Sequence, residues 1–293
     1  MDYHARSVDD SDKMKRILLL CAAAAALPAG CRSPLRTPPA PLDSERAVPV
    51  SVKSITERDY VRDPALCLEA AKLGQAQAQY VLASMFHRGR SLPRNEQMAV
   101  HWYRKAAEQG VAHAQYNLGA LLLTGEGDVK PDATEAHRWL LAAGEQKMEA
   151  AYPLLGSIYA AGRGVERDTA EACRWYALAA QNGDVEAGAA LGWLLLKGEG
   201  VKQDKRLGLQ WLRNAAEKGY APAQYNLGVL YAAGQTLEAD PVRAYVWFSL
   251  AAESEFGAAG DALRKLKKAL QPEEVRVAES LLAELRERLK PAD

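Results

Sequence analysis

Residues 102–127, WYRKAAEQGVAHAQYNLGALLLTGEG, contain the pattern that decides the fold. Apolar residues in this stretch are separated by three or four positions, the spacing of one face of an α-helix: Ala114, Leu118, Leu121 and Leu122. Gly125 and Gly127 follow, and glycine adopts the left-handed conformation that ends a helix without steric cost. The stretch therefore predicts a helix over 112–124, closed by a glycine-containing turn.

Beyond this stretch, tryptophan recurs along the chain at a nearly constant interval. The recurring residues are Trp102, Trp139, Trp175, Trp211 and Trp247, separated by 37, 36, 36 and 36 residues. Alanine or glycine stands three residues before each of them, and alanine stands four residues after. Self-similarity at this period predicts stacked supersecondary units. The extra residue in the first interval, Asp128, falls in a loop and leaves both helices intact.

Each predicted second helix begins after a residue whose side chain can cap a helix N-terminus. These residues are Asn95, Asp132, Asp168, Asp204 and Asp240. Glutamate stands three positions after two of them, so Asp132 with Glu135 and Asp168 with Glu171 predict capping boxes. Pro241 is predicted at the first helical position, where a missing N–H costs nothing. Each unit is thus a pair of helices.

These motifs resemble the Sel-1-like repeat, a relative of the tetratricopeptide repeat of roughly 36 residues. The resemblance is carried by Ala114–Gly119, Gly125–Gly127 and Trp102–Gly110, and again by Ala223–Gly228 and Trp211–Gly219. Five full units cover about residues 75–254, with a half unit before them at 64–74 and a degenerate unit after them at 257–269. The resemblance implies an all-α fold, a right-handed α-solenoid of about five to six helix-turn-helix repeats.

Three places depart from the family pattern. The loops that begin Gly89-Arg90-Ser91 and Gly234-Gln235 lack the second loop glycine, and Pro153 is predicted to interrupt the first helix of the third unit. The repeats are predicted to span residues 59–269. Residues 270–293 are predicted to form a capping helix, because one apolar stripe runs along it: Val275, Ala278, Leu281, Leu282, Leu285 and Leu289.

The first thirty residues have the three parts of a secretory signal peptide. Lys13, Lys15 and Arg16 precede the apolar run 17–27, which is too short to span a bilayer. Met14 is an equally good or better initiator and is the alternative start of the chain. A proline-rich tether is predicted for residues 31–58, because such a stretch lacks the apolar residues of a core.

Residues 27–31, LPAGC, resemble the lipobox of bacterial lipoproteins, with Pro28 where the family usually has leucine. The resemblance implies that Cys31 is lipidated and becomes the first mature residue. Arg32 would then be the second mature residue, and the presence there of a residue other than aspartate is similar to lipoproteins sorted to the outer membrane. The expected location is therefore the periplasm, with a lipid anchor in the outer membrane. The alternative is an ordinary signal peptide cleaved near Ala29.

Composition and motifs argue against several kinds of chemistry. Lys and Arg total 37, as do Asp and Glu, so no net field attracts nucleic acid. His87, His101, His113 and His137 form no metal-ligand pattern, and the sequence predicts no metal, no cofactor and no catalytic residue. Ser-x-x-Lys is absent. Cys67 and Cys173 are predicted to be small buried residues that do not meet.

In tetratricopeptide-like solenoids the first helix of each unit lines the concave groove, and this resemblance yields candidate partner-binding residues. They are Tyr80, Ser84, Arg88, Tyr116, Ala120, Ser157, Trp193, Tyr225 and Val229. Trp193 breaks the tryptophan period, and both core packing and a role as binding anchor are open for it. For the three tyrosines, recurrence at one offset favours packing.

The predicted function is a non-catalytic scaffold or adaptor in the bacterial envelope that binds envelope proteins in the groove and contacts the membrane through Cys31. One alternative is a hydrolase of cell-wall or β-lactam substrates. Another is a regulatory inhibitor of a membrane sensor. Fold analogy alone does not choose the pathway.

Overall fold

The computed structural model describes residues 57–234 and 236–289, and in that part of the chain every regular element is an α-helix. The all-α class and the repeated helix pairs are thereby confirmed. The described residues fall into two compact units, residues 57–168 (the N-terminal unit) and residues 169–289 (the C-terminal unit). None of the helices within these residues combines the length and the apolarity needed to cross a bilayer.

Seven helices make up the N-terminal unit. They are α1 (Glu57–Arg62), α2 (Pro64–Lys72), α3 (Ala76–Arg88), α4 (Glu96–Glu108), α5 (Ala112–Thr124), α6 (Ala133–Glu145) and α7 (Ala151–Ala161). Helices α3 with α4 and α5 with α6 form complete repeats. The predicted helix over 112–124 is confirmed residue by residue as α5.

Seven helices also make up the C-terminal unit. They are α8 (Thr169–Gln181), α9 (Val185–Lys197), α10 (Lys205–Glu217), α11 (Ala221–Ala233), α12 (Pro241–Glu253), α13 (Gly257–Ala269) and α14 (Pro272–Leu289). Helix α14 packs against α12. Its Ala278 and Leu282 are buried, whereas Leu281, which the sequence assigns to the same apolar stripe, is 37% exposed.

The predicted caps are present at the start of the second helices. The side chains of Asn95, Asp132, Asp204 and Asp240 each accept a hydrogen bond from the main-chain N–H three residues later, at 2.8 to 2.9 Å. The main-chain N–H of each cap residue donates to a carbonyl near the end of the preceding first helix, as in Asp132 to Leu122 at 2.9 Å. One residue therefore starts the second helix and ties it to the first.

The capping box predicted for Asp132 and Glu135 is wrong in its second half. In a capping box the Glu135 carboxylate would accept a hydrogen bond from the Asp132 main-chain N–H. That N–H already donates to the carbonyl of Leu122. The Glu135 carboxylate instead accepts two hydrogen bonds from Arg104, at 3.0 Å each, and one from Trp139 Nε1 at 3.0 Å. A contact between repeats has replaced the local one. The Asp168 N–H likewise donates to a carbonyl, that of Tyr159, at 3.0 Å.

Two departures from the repeat pattern have structural explanations. Pro153 does not interrupt the first helix of its unit, because α7 begins at Ala151 and the proline lies in the first turn, where its missing N–H is harmless. Ser91 has a φ of 65°, the left-handed conformation that Gly127 adopts in the next repeat with a φ of 63°. Ser91 therefore reproduces the turn that glycine normally makes.

Small residues set the distance between the helices of a repeat. A Cβ on Gly192 of α9 would lie 2.8 Å from the main-chain oxygen of Gly208 in α10, and a Cβ on Gly208 would lie 2.7 Å from the oxygen of Gly192. Real side chains essentially never make contacts this short with a backbone atom. The two helix backbones are therefore in direct contact at this crossing.

Buried glutamines bridge neighbouring helices at one position of three first helices. Gln79, Gln115 and Gln224 are each 4 to 6% exposed. Each donates through Nε2 to the carbonyl of an alanine eight residues earlier, over distances of 3.0 to 3.2 Å. A buried amide is tolerated only when it is hydrogen-bonded, so these bonds fix the register of each helix against its predecessor.

The oxygen of the buried amide is paired in the N-terminal unit. Gln109 Nε2 donates to Gln79 Oε1 at 2.7 Å, and Gln146 Nε2 donates to Gln115 Oε1 at 2.8 Å. In the C-terminal unit Ser254 occupies the matching position, and Gln224 Oε1 is buried with no hydrogen-bond partner among the described residues.

We expect Ser254→Gln to raise the free energy of unfolding by about 1 kcal/mol, because it supplies the missing donor to a buried oxygen. The backbone already suits the change: Ser254 has φ −85° and ψ 18°, against −86° and 7° at Gln109. Urea denaturation monitors the effect. Ser254→Glu is the matched control, since it has the same length and no donor. An equal gain in both variants would show that the orphaned oxygen is not the cause.

Several predicted segments lie outside the described residues. These are the signal peptide of residues 1–30, the lipidation site Cys31, the tether as far as residue 56 and the last four residues of the capping segment. Helix α1 begins at Glu57, two residues before the predicted start of the repeats, and its Tyr60 is buried. Cys67 and Cys173 are buried and neither forms a disulfide, as the sequence predicts.

Candidate functional site

Three predicted partner-binding residues, Tyr80, Ser84 and Arg88, gather around Tyr103 in the N-terminal unit. The Tyr80 and Tyr103 rings lie 6.1 Å apart, and His87 meets Tyr103 edge-on at the same centroid distance. The Tyr103 hydroxyl is hydrogen-bonded to Ser84 and to Asn117 of the following repeat. The first-helix positions of two repeats thus converge on one side chain of a second helix.

Tyr103 is the buried floor of this arrangement. It is 1% exposed, and burial raises the pKa of its hydroxyl far above the ordinary value of 10, an effect that Ser84, Arg88 and Asn117 only partly oppose. The hydroxyl is therefore a neutral hydrogen-bonding group and has no role as a base. Tyr80 also lies 5.9 Å from the ring of His113, so a tilted row of aromatic rings borders this floor.

The remaining predicted residues of the N-terminal unit are partly buried on their first helices. Tyr116 and Ala120 lie on α5, and Ser157 lies on α7. The Ser157 hydroxyl donates to the carbonyl of Leu154 at 2.8 Å and accepts from Arg163 at 3.1 Å. Arg163 belongs to the loop that follows α7, so this loop is held against the first-helix face.

In the C-terminal unit the predicted residues Trp193, Tyr225 and Val229 pack against one apolar cluster. All three are partly exposed at its edge. The Tyr225 ring lies 5.5 Å from Phe248 and 5.3 Å from Phe256, which agrees with the packing role that the sequence favours for the tyrosines.

Trp193 combines the two roles that the sequence leaves open. Part of its ring packs against the cluster, while the Lys197 ammonium lies 5.3 Å from the ring centroid. A cation over an aromatic face is attracted by the ring quadrupole. The result is an apolar surface at the first-helix face, with a positive charge at its edge.

Four residues of these faces are missing from the sequence-based set: Tyr103, His113, Asn117 and Lys197. Tyr103 follows Trp102 directly, and the matching residues after the other tryptophans are Leu140, Tyr176, Leu212 and Phe248. The recurrence of a large apolar or aromatic residue directly after each tryptophan could have predicted that this position faces inward. His113 and Asn117 carry no such signal, because they contribute through contacts between repeats.

A second polar cluster joins two loops of the N-terminal unit. Glu126 pairs with Arg94 at 2.5 Å and with His87 at 3.4 Å, and Arg94 also pairs with Glu96 at 2.5 Å. A Cβ on Gly127 would lie 2.7 Å from the Glu96 carboxyl carbon, so a larger residue at this position would have to displace the flexible Glu96 side chain. These ion pairs hold successive loops together and leave no open coordination site.

His137 lies between helices, where its surroundings change its pKa. Its Nε2 is 2.9 Å from the Tyr159 hydroxyl, and the two rings meet edge-on at 5.1 Å. Burial lowers the pKa of His137 below the ordinary 6.5, because the charged imidazolium loses its hydration there. The unfolded chain therefore binds this proton more readily than the folded chain.

Because the pKa of His137 is lower in the folded chain, we expect this group to leave the free energy of unfolding unchanged above about pH 6.5 and to lower it as the pH falls below that value, a loss measurable between about pH 7.5 and 5.5. His137→Leu, which places here the residue found at the matching Leu209, is expected to remove that share of the loss. Urea denaturation at both pH values measures it. The control is His101→Leu, at an exposed position. An unchanged pH dependence in His137→Leu would refute the assignment.

Nothing in the described ranges gathers three or more metal-ligating side chains. Burial raises the pKa of the Cys67 thiol to about 11, and its Sγ donates to the carbonyl of Ala78 at 3.4 Å, so this thiol is not a reactive thiolate. The functional features of the described residues are surfaces of side chains on the first helices.

Comparison with known proteins agrees with this geometry. The Sel1 repeat family model matches residues 76–111, 112–148, 150–184, 185–220 and 221–256, more than half of the chain. Each matched range ends close to the end of a helix pair. No curated protein sequence matches the chain.

Two solved structures are similar to this chain. One is c5321, a protective antigen of uropathogenic Escherichia coli with an SLR fold: 31% identity, 80% of this chain and 53% of that chain covered, and a TM-score of 0.65. The other is a Sel1 repeat protein from Oxalobacter formigenes, with 28% identity, coverages of 80% and 93%, and a TM-score of 0.62. The chain spans about half the length of c5321. The solenoid class predicted from the repeats is confirmed by these likenesses.

Proposed function

Because the chain belongs to the Sel1 repeat family, we propose that it is a non-catalytic scaffold of the bacterial envelope that holds protein partners on its first-helix faces. Sel1 repeat proteins are generally protein-interaction scaffolds, and their fold is typically non-catalytic. The proposal adds the location of the protein and the surface that it uses.

The partial exposure of Trp193 carries the proposal. The matching positions of the other repeats hold Ser84, Ala120, Ser157 and Val229, so the repeat itself does not require a large aromatic side chain there. A tryptophan that packs on one side and is exposed on the other is typical of a binding hot spot, because burying its free area on a partner removes apolar surface from water.

The envelope location rests on the sequence. Residues 1–30 have the pattern of a signal peptide, and Cys31 lies at the end of a lipobox-like segment. We propose that Cys31 is lipidated and that residues 31–56, which precede helix α1, hold the repeats away from an outer-membrane surface. Incorporation of labelled palmitate in a Gram-negative host tests this: Cys31→Ser is expected to lose the label, and equal labelling of both proteins would refute it.

Capture from crosslinked envelope extract tests the binding face. We expect the full chain to capture partner proteins. The Trp193→Val variant is expected to recover about tenfold less of each partner, because a hot-spot residue contributes a large share of the binding free energy. Valine is the residue at the matching position 229, so the variant keeps a side chain that the repeat accommodates. Leu281→Ala, on the exposed side of α14, is the control. Identical recovery by the chain and Trp193→Val would refute a role for this face.

The same preparation separates the two alternatives. A stoichiometric complex with one membrane sensor would indicate an inhibitor. Turnover of cell-wall or β-lactam substrates by the purified protein would indicate a hydrolase and would overturn the scaffold proposal.

A further inference from the structure

Helix α13 continues the repeat register and places lysines where earlier repeats have neutral residues. Its residues 257–269 follow those of α11 at an offset of 36, so Lys265 matches Val229 and Trp193 in position, and Lys268 matches Leu196. The inner side of α13 packs through Ala262, Leu263 and Leu266 on the apolar cluster that also contacts Trp193. The lysines are exposed on the other side of the helix.

The two lysines keep their charge available. Neither Lys265 nor Lys268 has an ion-pair partner within the described ranges, whereas their neighbours Arg264 and Lys267 pair with Asp261 and with Glu279. Asp261 is the carboxylate of α13, and Arg264 already engages it. Lys265 and Lys268 therefore leave positive charge on this face of the helix.

Carboxylates elsewhere on the first helices of this unit are also engaged. Glu186 of α9 is hydrogen-bonded to the hydroxyl of Tyr220, and in the loop after α9 Glu199 lies 3.5 Å from Lys197. Lys197 itself lies over the Trp193 ring. Trp193, Val229 and Lys265 hold the same position of three successive first helices, and Lys268 follows Lys265 by one turn. These four residues, called here the basic face, combine apolar side chains with two lysines that have no ion-pair partner among the described residues, whereas the charge of Lys197 is offset by Glu199.

We propose that the basic face binds an acidic peptide segment of a partner protein, with an apolar side chain of that segment packed on Trp193. This inference rests on the proposed function and names its partner class. Opposite charges across an interface attract and select partners, and like charges reject wrong ones. The chain's own residues 32–56 do not fit, because they contain four cations and two carboxylates.

A random 12-residue peptide library displayed on phage, selected on the immobilised full chain, tests the proposal. The selected peptides are expected to contain at least twice as many Asp and Glu residues as the starting library, together with Leu or an aromatic residue. Their binding is expected to weaken at least tenfold between 50 and 500 mM NaCl, since salt screens exposed charges. Lys265→Glu/Lys268→Glu is expected to abolish the acidic enrichment.

A matched variant separates local from general charge effects. Lys202→Glu/Lys205→Glu reverses two exposed lysines outside the basic face, in the loop before α10 and at its first residue, and is expected to keep the enrichment. Equal loss in both double variants would overturn the proposal, because net charge alone would then explain the binding.

The remaining outcomes are also decisive. Peptides selected without an acidic excess would overturn this inference and leave the scaffold function standing. No selection above a blank surface would overturn this inference, while the scaffold function would still be decided by the capture from envelope extract. Vesicles containing one third phosphatidylglycerol provide the membrane comparison: binding to them that needs Lys265 and Lys268, without binding of acidic peptides, would assign the face to lipid headgroups and overturn the proposal.

Discussion

Gly192→Ala is expected to lower the free energy of unfolding by about 2 kcal/mol, although alanine is the better helix former. The added Cβ would lie 2.8 Å from the main-chain oxygen of Gly208 and 3.0 Å from the main-chain nitrogen of Leu212. Because both atoms belong to the backbone of α10, no side-chain rotation can relieve the contact. The two helices must separate, and the packing of their neighbours is then lost.

The same substitution is expected to have the opposite sign at Gly260 of α13. A Cβ there meets nothing within 4 Å, so Gly260→Ala should raise the free energy of unfolding by about 0.5 to 1 kcal/mol. Urea denaturation of both variants compares the same glycine-to-alanine change at two positions, so any difference in the free energy of unfolding reports the surroundings. Destabilisation of similar size at both positions would contradict the backbone contact between α9 and α10.

Gln115→Leu is expected to destabilise the N-terminal unit by about 2 kcal/mol, because it leaves polar groups without partners in a buried place. Gln115 donates to the carbonyl of Ala107 at 3.2 Å and accepts from Gln146 at 2.8 Å. Leucine has a similar volume, so the loss measures the hydrogen bonds more than the packing. Thermal and urea denaturation check it.

The control is Gln97→Leu, on the exposed part of α4 in the same unit. That change is expected to alter stability by less than about 0.5 kcal/mol, as is usual for surface substitutions. A neutral result at Gln115 would mean that the bridge between helices is dispensable and that alanine packing alone fixes the register.

Local chemistry made much of the fold predictable from the sequence. Helix periodicity and loop glycines locate α5 to the residue, and four predicted caps accept the expected hydrogen bonds. Each of these features depends on residues a few positions apart. The period then places equivalent residues in every repeat, so one unit predicts the others.

Contacts between repeats were not predictable in the same way. The capping box at Asp132 is wrong because Arg104, 31 residues earlier, engages Glu135. Pro153 was predicted to interrupt its helix, but the helix begins only two residues before it, so the proline lies in the first turn. The surroundings of Tyr103 depend on Ser84 and Asn117 from different helices, and the lysine over Trp193 depends on side-chain orientation. Whether partners use these residues stays a prediction.

The glutamine bridges also have a kinetic consequence. Gln79 and Gln109 are 30 residues apart, and Gln115 and Gln146 are 31 apart, so each bridge can form once a single further repeat has been synthesised. Folding that depends on such near contacts is fast, because little loop entropy is lost before they form. The bond from Arg288 to Glu217 spans 71 residues and must form late. A chain emerging from a ribosome or a translocation pore can therefore fold repeat by repeat, with its last helix closing the structure.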